Sequence, residues 1–231
     1  MNGEALVTMA KSGIQRKWLW ESNPLESRTI INSVKILSGT LPTNINKTRG
    51  NQNQELKKCR RCKKTAETDI HVLNECSHNK NAISRRHNMI VNKIAKELKK
   101  VGYVVWTEKT HSVNLINLKP DITIWKENIC KLIEITIPYE RNDRILLERE
   151  LFKENKYKDI KKEHLSISNP TNEVKVIGIA IGTAGTINES TANKLTRLGL
   201  SKKITTALQM TVLHESSRIW RGHESGSLPD L

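Results

Sequence analysis

The chain has 231 residues, and its 39 Lys and Arg outnumber its 24 Asp and Glu by 15 charges. Hydrophobic residues make up 36% of the chain, which is too many for a wholly disordered protein, and no apolar run is long enough to cross a membrane. The N-terminal residues lack the apolar stretch of a secretory signal, so we expect an intracellular protein whose partner is a polyanion, most often nucleic acid.

Residues 1–55 are predicted to form a helical segment followed by a polar linker. The segment contains Trp18-Leu19-Trp20 and a helical stretch near Ser27–Leu37. A passage rich in Asn and Gln then runs from Leu41 to Gln54, which is the composition of a linker.

Residues 56–80 contain metal-ligating residue types at the spacing of a zinc knuckle. The pattern is Cys59-x2-Cys62-x8-His71-x4-Cys76. A Cys-x2-Cys turn offers two thiolates to one ion, and three sulfurs with one imidazole favour a closed, structural zinc site. His78 is the alternative fourth ligand, and the alternative to zinc is a set of reduced thiols. Cys130 stands apart and is predicted to be a small buried residue.

The positive charge is concentrated around this predicted knuckle. Residues 47–100 hold 15 Lys or Arg and 5 acids, a net charge of +10. A basic surface of this kind binds phosphates, although a run of like charge is also typical of a solvated face. The candidate nucleic-acid contacts are Lys57, Lys58, Arg60, Arg61, Lys63, Lys64 and, in the next helix, Arg85.

Residues 81–221 alternate between helical and strand patterns in the order of an α/β domain. Apolar residues at helical spacing predict a helix over 82–101. The later elements are strands at 103–106, 119–125 and 130–137, a helix at 142–164, a strand at 174–181 and one or two helices at 189–221. This order predicts an α/β sandwich with a mixed sheet. Gly182–Thr186 lacks the Lys of a phosphate-binding loop and is predicted to be an ordinary turn, and 222–231 are predicted to be a flexible tail.

Two acids lie in neighbouring strands of this predicted sheet. If Glu127-Asn128 forms a two-residue hairpin loop, Lys126 pairs with Ile129, and Asp121 lies directly opposite Glu134 on the same face. Opposed side chains have Cβ atoms about 4.5–5.5 Å apart, which is close enough to bind one Mg²⁺. A loop one residue longer or shorter would put the acids on opposite faces, and two solvent-facing acids are the plain alternative.

The domain resembles the PD-(D/E)XK nucleases, with Thr136 where that pattern has a lysine. The region 35–165 more specifically resembles the C-terminal part of site-specific non-LTR retrotransposon proteins that carry a restriction-enzyme-like endonuclease. The matching features are Leu41-Pro42-Thr43 with Arg49-Gly50, the Cys-Cys-His-Cys knuckle, Arg86-His87-Asn88, Lys119-Pro120-Asp121, the run from Glu134 to Glu140, and Lys156-Tyr157.

The resemblance implies a nuclear endonuclease that nicks target DNA with Mg²⁺ and leaves a 3′-hydroxyl primer for reverse transcription. Asp121 and Glu134 fall on the metal-binding acids, and the missing lysine is replaced from the following helix by Lys156 first and Lys153 second. Arg86 and His87 are expected to approach the scissile DNA. The polymerase of the parent protein has no room in this chain, so the alternative is a decayed remnant that binds DNA or the element RNA without cutting.

Overall fold

The computed structural model describes residues 25–113, 116–127, 129–142, 144–158, 160 and 173–227. Trp18-Leu19-Trp20 lies outside these residues. The helices are α1 (Ser27–Ser38), α2 (Asn44–Lys47), α3 (Lys80–Lys100), α4 (Ile145–Lys156), α5 (Glu189–Arg197) and α6 (Lys202–Ser225). The strands are β1 (Val104–Thr107), β2 (His111–Val113), β3 (Ile116–Leu118), β4 (Ile122–Lys126), β5 (Ile129–Thr136) and β6 (Glu173–Ala180).

The principal sheet is mixed, as the order of elements predicts. Its strand order is β1-β4-β5-β6, with antiparallel pairs β1–β4 and β4–β5 and a parallel pair β5–β6. Parallel neighbours need a crossover, and α4 lies in the connection between β5 and β6. The protein is therefore an α/β structure with a mixed sheet.

Alternation along the strands divides the core into two layers. Ile133 and Ile135 of β5 point to the same face as Ile179 of β6, where they pack with α3, α5 and α6. Cys130 and Leu132 point to the opposite face and pack with Tyr157, which follows α4. The prediction that Cys130 is buried is confirmed.

A second core joins the N-terminal segment to the end of the chain. Ile36, Leu37 and Leu41 pack with Trp220 of α6 and with Leu73 beside the predicted zinc ligands. In the part of the chain that the structure describes, no helix is long and apolar enough to cross a membrane.

Several boundaries and one hairpin differ from the sequence predictions. The predicted helix 142–164 ends at Lys156, because the chain turns at Tyr157 to bury that ring; 159 and 161–164 lie outside the described residues. The predicted tail is wrong over 222–225, which continue α6. The predicted linker is wrong at its start, where Leu41 is buried and α2 packs beside the zinc segment. The short hairpin β2–β3 was not predicted.

The turn Gly182–Thr186 binds the side-chain carboxylate of Glu140. Glu140 accepts hydrogen bonds from the Ala184 amide (2.9 Å) and the Thr186 hydroxyl (2.6 Å). A Cβ on Gly182 would overlap the Glu140 carboxylate, so glycine is required there. This turn lies between β6 and α5 and is fixed to the segment after β5 by Glu140.

Candidate functional site

The four predicted zinc ligands lie together. One donor atom from each of Cys59, Cys62, His71 and Cys76 lies within 4.8 Å of all the others. The sulfurs of Cys59 and Cys76 are 3.9 Å apart, and Cys62 Sγ is 3.3 Å from His71 Nε2. Tetrahedral zinc with Zn–S bonds of about 2.3 Å requires a sulfur–sulfur distance of about 3.8 Å, so the donor set fits zinc. His78 is exposed and lies outside the cluster.

Local backbone geometry brings these ligands together. The Cys59 amide donates to Thr65 O at 2.7 Å, and Lys63 closes the turn at a positive φ of 59°. His71 and Cys76 lie at opposite ends of one π-helical turn, where the Cys76 amide donates to His71 O at 2.7 Å. The spacing of four residues between His71 and Cys76 therefore matches one wide helical turn.

Burial changes the titration of the cluster's thiols. Burial raises the pKa of the Cys76 thiol to about 12, with the neighbouring cysteine sulfurs adding to the shift. Metal binding requires thiolates, so zinc binding at this cluster would displace the proton of the buried Cys76 thiol. Thr65 Oγ1 lies 3.1 Å from His71 Nδ1, which leaves Nε2 facing the sulfurs.

Two further buried residues adjoin the cluster, and sequence reasoning missed both. Glu67 and His223 are 0% exposed as side chains, and His223 Nε2 lies 3.2 Å from Glu67 Oε2 and 3.6 Å from Cys59 Sγ. Burial would raise the pKa of Glu67, but hydrogen bonds from His223 and Arg60 hold it well below its usual range. Glu67 lies within the knuckle and carried no spacing signal. His223 comes from the predicted tail, where polar composition concealed it.

The hairpin register brings the two candidate catalytic acids together. Lys126 pairs with Ile129 and Ile122 pairs with Ile133, as the two-residue loop predicts. The Asp121 amide donates to Glu134 Oε1 at 3.1 Å, and the Ile135 amide donates to Asp121 Oδ2 at 2.7 Å. The Glu134 side chain is 2% exposed and that of Asp121 is 19% exposed, so Asp121 is the acid that solvent reaches.

Two basic side chains contact this acid pair. Lys153 Nζ from α4 lies 2.8 Å from Glu134 Oε2, and His87 Nε2 from α3 lies 3.4 Å from Asp121 Oδ2. The hydrogen bond to Asp121 raises the pKa of His87. Burial would raise the pKa of Asp121, but His87, the Ile135 amide and Lys153 together hold it below its usual value.

The helix α4 offers Lys153 to the acids before Lys156, which reverses the predicted order of preference. Lys156 Nζ lies 3.0 Å from the Tyr157 hydroxyl, which donates to Lys119 O at 3.2 Å. Burial raises the pKa of Tyr157, and the charge of Glu134 adds to the shift. Lys156 therefore reaches the neighbourhood of the acids through Tyr157.

Four of the predicted nucleic-acid contacts are engaged inside the protein. Arg60 binds Glu67 at 2.7 Å, and Arg61 donates to His223 O at 2.8 Å near the end of α6. Arg85 pairs with Glu215 at 3.1 Å. Arg86 is 1% exposed, which does not support its predicted approach to DNA.

The guanidinium of Arg86 belongs to a buried polar network. It donates to Ser216 Oγ (3.0 Å), Leu73 O (3.1 Å) and Asn74 Oδ1 (3.3 Å). Burial lowers the pKa of Arg86 to about 10, and the acids Glu140 and Glu215 oppose the shift. The network connects α3, α6 and the turn that carries the zinc ligands.

The lysines of the knuckle have a different environment from its arginines. Lys63 and Lys64 are exposed, and Lys57 and Lys58 are partly exposed. Lys58 forms a solvent-exposed pair with Glu55 at 2.7 Å. Accessible positive charge on the knuckle is therefore carried mainly by lysine, while its arginines hold the fold.

The comparisons with known proteins agree with part of these expectations. The chain is 28% identical over 121 residues to the retrovirus-related Pol polyprotein from the type-2 retrotransposable element R2DM of Drosophila melanogaster. The aligned region covers 51% of this chain and 11% of that polyprotein. No protein-family model matches the chain. The similarity supports a retrotransposon-derived protein.

Proposed function

We propose that the chain is the zinc-knuckle and endonuclease region of a retrotransposon polyprotein, and that it nicks target DNA with Mg²⁺. The observation that carries the proposal is the hairpin register, which sets Asp121 against Glu134 with Lys153 at 2.8 Å from Glu134. The arrangement of two acids and one lysine at one end of a mixed sheet is what a PD-(D/E)XK nuclease needs. Thr136 occupies the lysine position of the PD-(D/E)XK pattern, and in this interpretation Lys153 of α4 takes the role of that lysine.

The acid pair has the ligand chemistry that Mg²⁺ prefers. Mg²⁺ is commonly bound by one or two carboxylates together with substrate phosphate. Asp121 and Glu134 would hold the ion, which when bound polarises a phosphodiester and lowers the pKa of a water molecule. The hydrogen bonds to Asp121 hold its pKa below its usual value, so this acid does not have to lose a proton at neutral pH for a cation to bind.

The two basic side chains beside the acids have separate proposed roles. Lys153 would orient the attacking water and offset the negative charge that develops on the phosphate. His87 fixes Asp121 by a hydrogen bond and is partly exposed, so it also offers a donor to the DNA backbone. These roles rest on two contacts, one between Lys153 and Glu134 and one between His87 and Asp121.

The knuckle would hold the nucleic acid while the sheet cuts it. Lys57, Lys63 and Lys64 are proposed to contact phosphates, with Lys58 at the edge of the same surface. Such contacts position the substrate without reading its sequence. A DNA target implies a nuclear location, and the polyprotein relationship implies a reverse transcriptase domain in the parent that would extend the new 3′-hydroxyl along the element RNA.

Plasmid nicking tests this proposal. We expect the parent chain to convert supercoiled plasmid to the nicked form with Mg²⁺, and we expect Asp121→Asn to lose at least 100-fold of the rate. Glu148→Gln removes an exposed acid of α4 and is the matched control. A DNA polymerase should extend the nick without end repair, because the product carries a 3′-hydroxyl. Equal nicking by parent and Asp121→Asn would contradict the proposal.

The second candidate is a remnant that binds nucleic acid without cutting it. The observation that favours it is that Lys153 contacts Glu134 and His87 contacts Asp121, so each acid already has a partner within the protein. In that case parent, Asp121→Asn and Glu148→Gln would bind DNA equally, and none of them would nick it.

A further inference from the structure

His223 and Glu67 lie where an outer layer of the zinc centre would be. They form, with Cys59, a second group whose donor atoms lie within 4.8 Å of one another. Cys59 is shared with the Cys59-Cys62-His71-Cys76 cluster, so the two groups compete for a single ion. Only the four-residue cluster offers the three sulfurs and one imidazole of a closed tetrahedron.

The hydrogen bonds of His223 decide which of its nitrogens carries the proton. Asn79 Nδ2 lies 3.0 Å from His223 Nδ1 and 2.8 Å from Val72 O, so its two N–H groups are donated to those two acceptors. His223 Nδ1 is therefore an acceptor, and the proton of the neutral ring is on Nε2. A protonated nitrogen cannot ligate a metal. His223 Nε2–H instead donates toward Cys59 Sγ and Glu67 Oε2.

Glu67 anchors the same turn from its other side. Its Oε2 accepts the Arg60 amide at 2.6 Å, inside the Cys59-x2-Cys62 turn, and its Oε1 accepts the Asn44 amide at 2.9 Å. The Arg60 guanidinium pairs with the same carboxylate at 2.7 Å. One buried carboxylate therefore fixes the turn that carries two of the four ligands and holds the ring of His223.

The end of α6 is attached to the turn by a further contact. Arg61 donates to His223 O at 2.8 Å and to Gly222 O at 3.4 Å, where the last carbonyls of the helix favour a cation. A Cβ on Gly226 would overlap the Arg61 guanidinium. Cys59 and Arg61 of the Cys-x2-Cys turn thus both contact the last turn of α6.

We propose that His223 and Glu67 are positioning residues of the zinc centre, and that the last turn of α6 is part of the metal-binding unit. The inference rests on the proposed zinc site. The Nε2–H of His223 stabilises the Cys59 thiolate, while Glu67 orients that N–H and the ligand turn. Zinc binding and docking of the α6 end are then coupled, so the knuckle binds zinc more weakly without residues far away in sequence.

Zinc affinity of matched variants of the full chain tests the inference. His223→Phe keeps an aromatic ring but removes the donor, whereas His223→Gln keeps an N–H near the Nε2 position. Losing an outer-layer partner of a metal ligand typically weakens metal binding by about 10- to 100-fold. We expect that loss, measured by chelator competition, for His223→Phe, and recovery of most of the affinity for His223→Gln. His214→Phe, on the half-exposed part of the same helix, is the control.

Two spectroscopic readouts separate a positioning role from general loss of packing. Cobalt-loaded His223→Phe should show a shifted sulfur-to-metal absorption band, because the Cys59 thiolate has lost a hydrogen bond. In the cadmium-113 form of the parent, His71 should show coupling to the metal and His223 should keep a proton on Nε2. The second measurement needs no variant, so it holds even if His223→Phe does not fold.

The outcomes also separate this inference from the zinc assignment. A parent chain that binds no zinc would overturn the zinc centre and this inference with it. One zinc per parent chain, with equal affinity and an unchanged cobalt spectrum in His223→Phe, would overturn only the inference. Coupling between cadmium and His223 would make it a ligand and also overturn the positioning role.

Discussion

At the scale of single residues, the contact between His87 and Asp121 makes local stability depend on pH. The pKa of His87 is raised above its unfolded value, so the stabilisation is complete below about pH 6.5 and is lost as pH rises through the folded pKa. The pKa of Asp121 is lowered, so its stabilisation is complete above about pH 4 and is lost as pH falls through the lowered pKa. The pair therefore contributes most between these limits.

We predict that His87→Gln destabilises the chain more at pH 6 than at pH 9. The difference between the two pH values should be up to about 1 kcal/mol, as for a partly exposed ion pair. Urea unfolding in Mg²⁺-free buffer measures it, and His78→Gln, an exposed histidine, is the control. A penalty that stays constant or grows with pH would contradict the assignment.

Arg86 and Lys64 belong to the same basic region, but their environments predict opposite effects. Arg86→Leu should lower the free energy of unfolding by about 3 kcal/mol or more, because two buried acceptors and one partly buried acceptor lose their donor. Lys64→Ala should leave the free energy of unfolding unchanged. It should reduce the slope of log affinity against log salt concentration for DNA binding by about 1, which is the contribution of one phosphate contact. Denaturant unfolding and salt titrations of both variants check this pair of predictions, and a stable Arg86→Leu chain would refute the structural role of Arg86.

The roles of single residues were predictable where the interacting residues lie close together in the sequence. The four zinc ligands follow from a local pattern, and the choice of His71 over His78 agrees with the structure. Burial was not predictable from charge, since Arg60 and Arg86 carry the same charge as exposed Lys64 but find buried acceptors. The partnership of His223 with Cys59 joins two ends of the chain, so no local signal predicts it.

At the scale of elements, the packing of α4 against β6 determines where Lys153 lies. A Cβ on Gly178 would overlap the carbonyl of Glu150 in α4, so the helix backbone contacts the strand directly. Glu154 accepts the Gly178 amide at 2.9 Å, and Lys153 is the adjacent residue. The distance between α4 and β6 thus also sets the reach of Lys153 toward Glu134.

We predict that Gly178→Ala destabilises the chain by about 1–3 kcal/mol, the usual cost of overpacking. It should also reduce nicking while DNA affinity stays unchanged, because α4 must move away from the sheet and takes Lys153 with it. Lys175→Ala, an exposed position of the same strand, is the control. Full stability and full nicking in Gly178→Ala would show that α4 does not need this close contact.

Elements with a clear hydrophobic periodicity or a short connecting turn were predictable from sequence. The register of β4 and β5 follows from a two-residue loop, because a loop one residue longer or shorter would turn every side chain of one strand to the opposite face. The end of α4 and the end of α6 were not predictable, because tertiary contacts of Tyr157 and His223 decide them. The hairpin β2–β3 has three residues in each strand, too few for a clear alternation.

At the scale of the whole molecule, α6 connects the zinc cluster to the sheet. Its middle packs in the core with α3 and the sheet, and its end contacts the Cys59–Cys62 turn. The mixed α/β class and the zinc segment were predictable, whereas their close attachment was not, because the polar passage after Leu41 has the composition of a linker. This attachment gives the proposed DNA-holding surface and the acid pair a common scaffold.

The rate of plasmid nicking against Mg²⁺ concentration, with DNA affinity measured alongside, tests the central claim most directly. The endonuclease proposal predicts that nicking by the parent rises with Mg²⁺ and saturates, whereas Glu134→Gln, with equal DNA affinity, loses at least 100-fold of the rate. A parent chain that binds DNA but does not nick it at any Mg²⁺ concentration, or a Glu134→Gln variant as fast as the parent, would contradict the proposal.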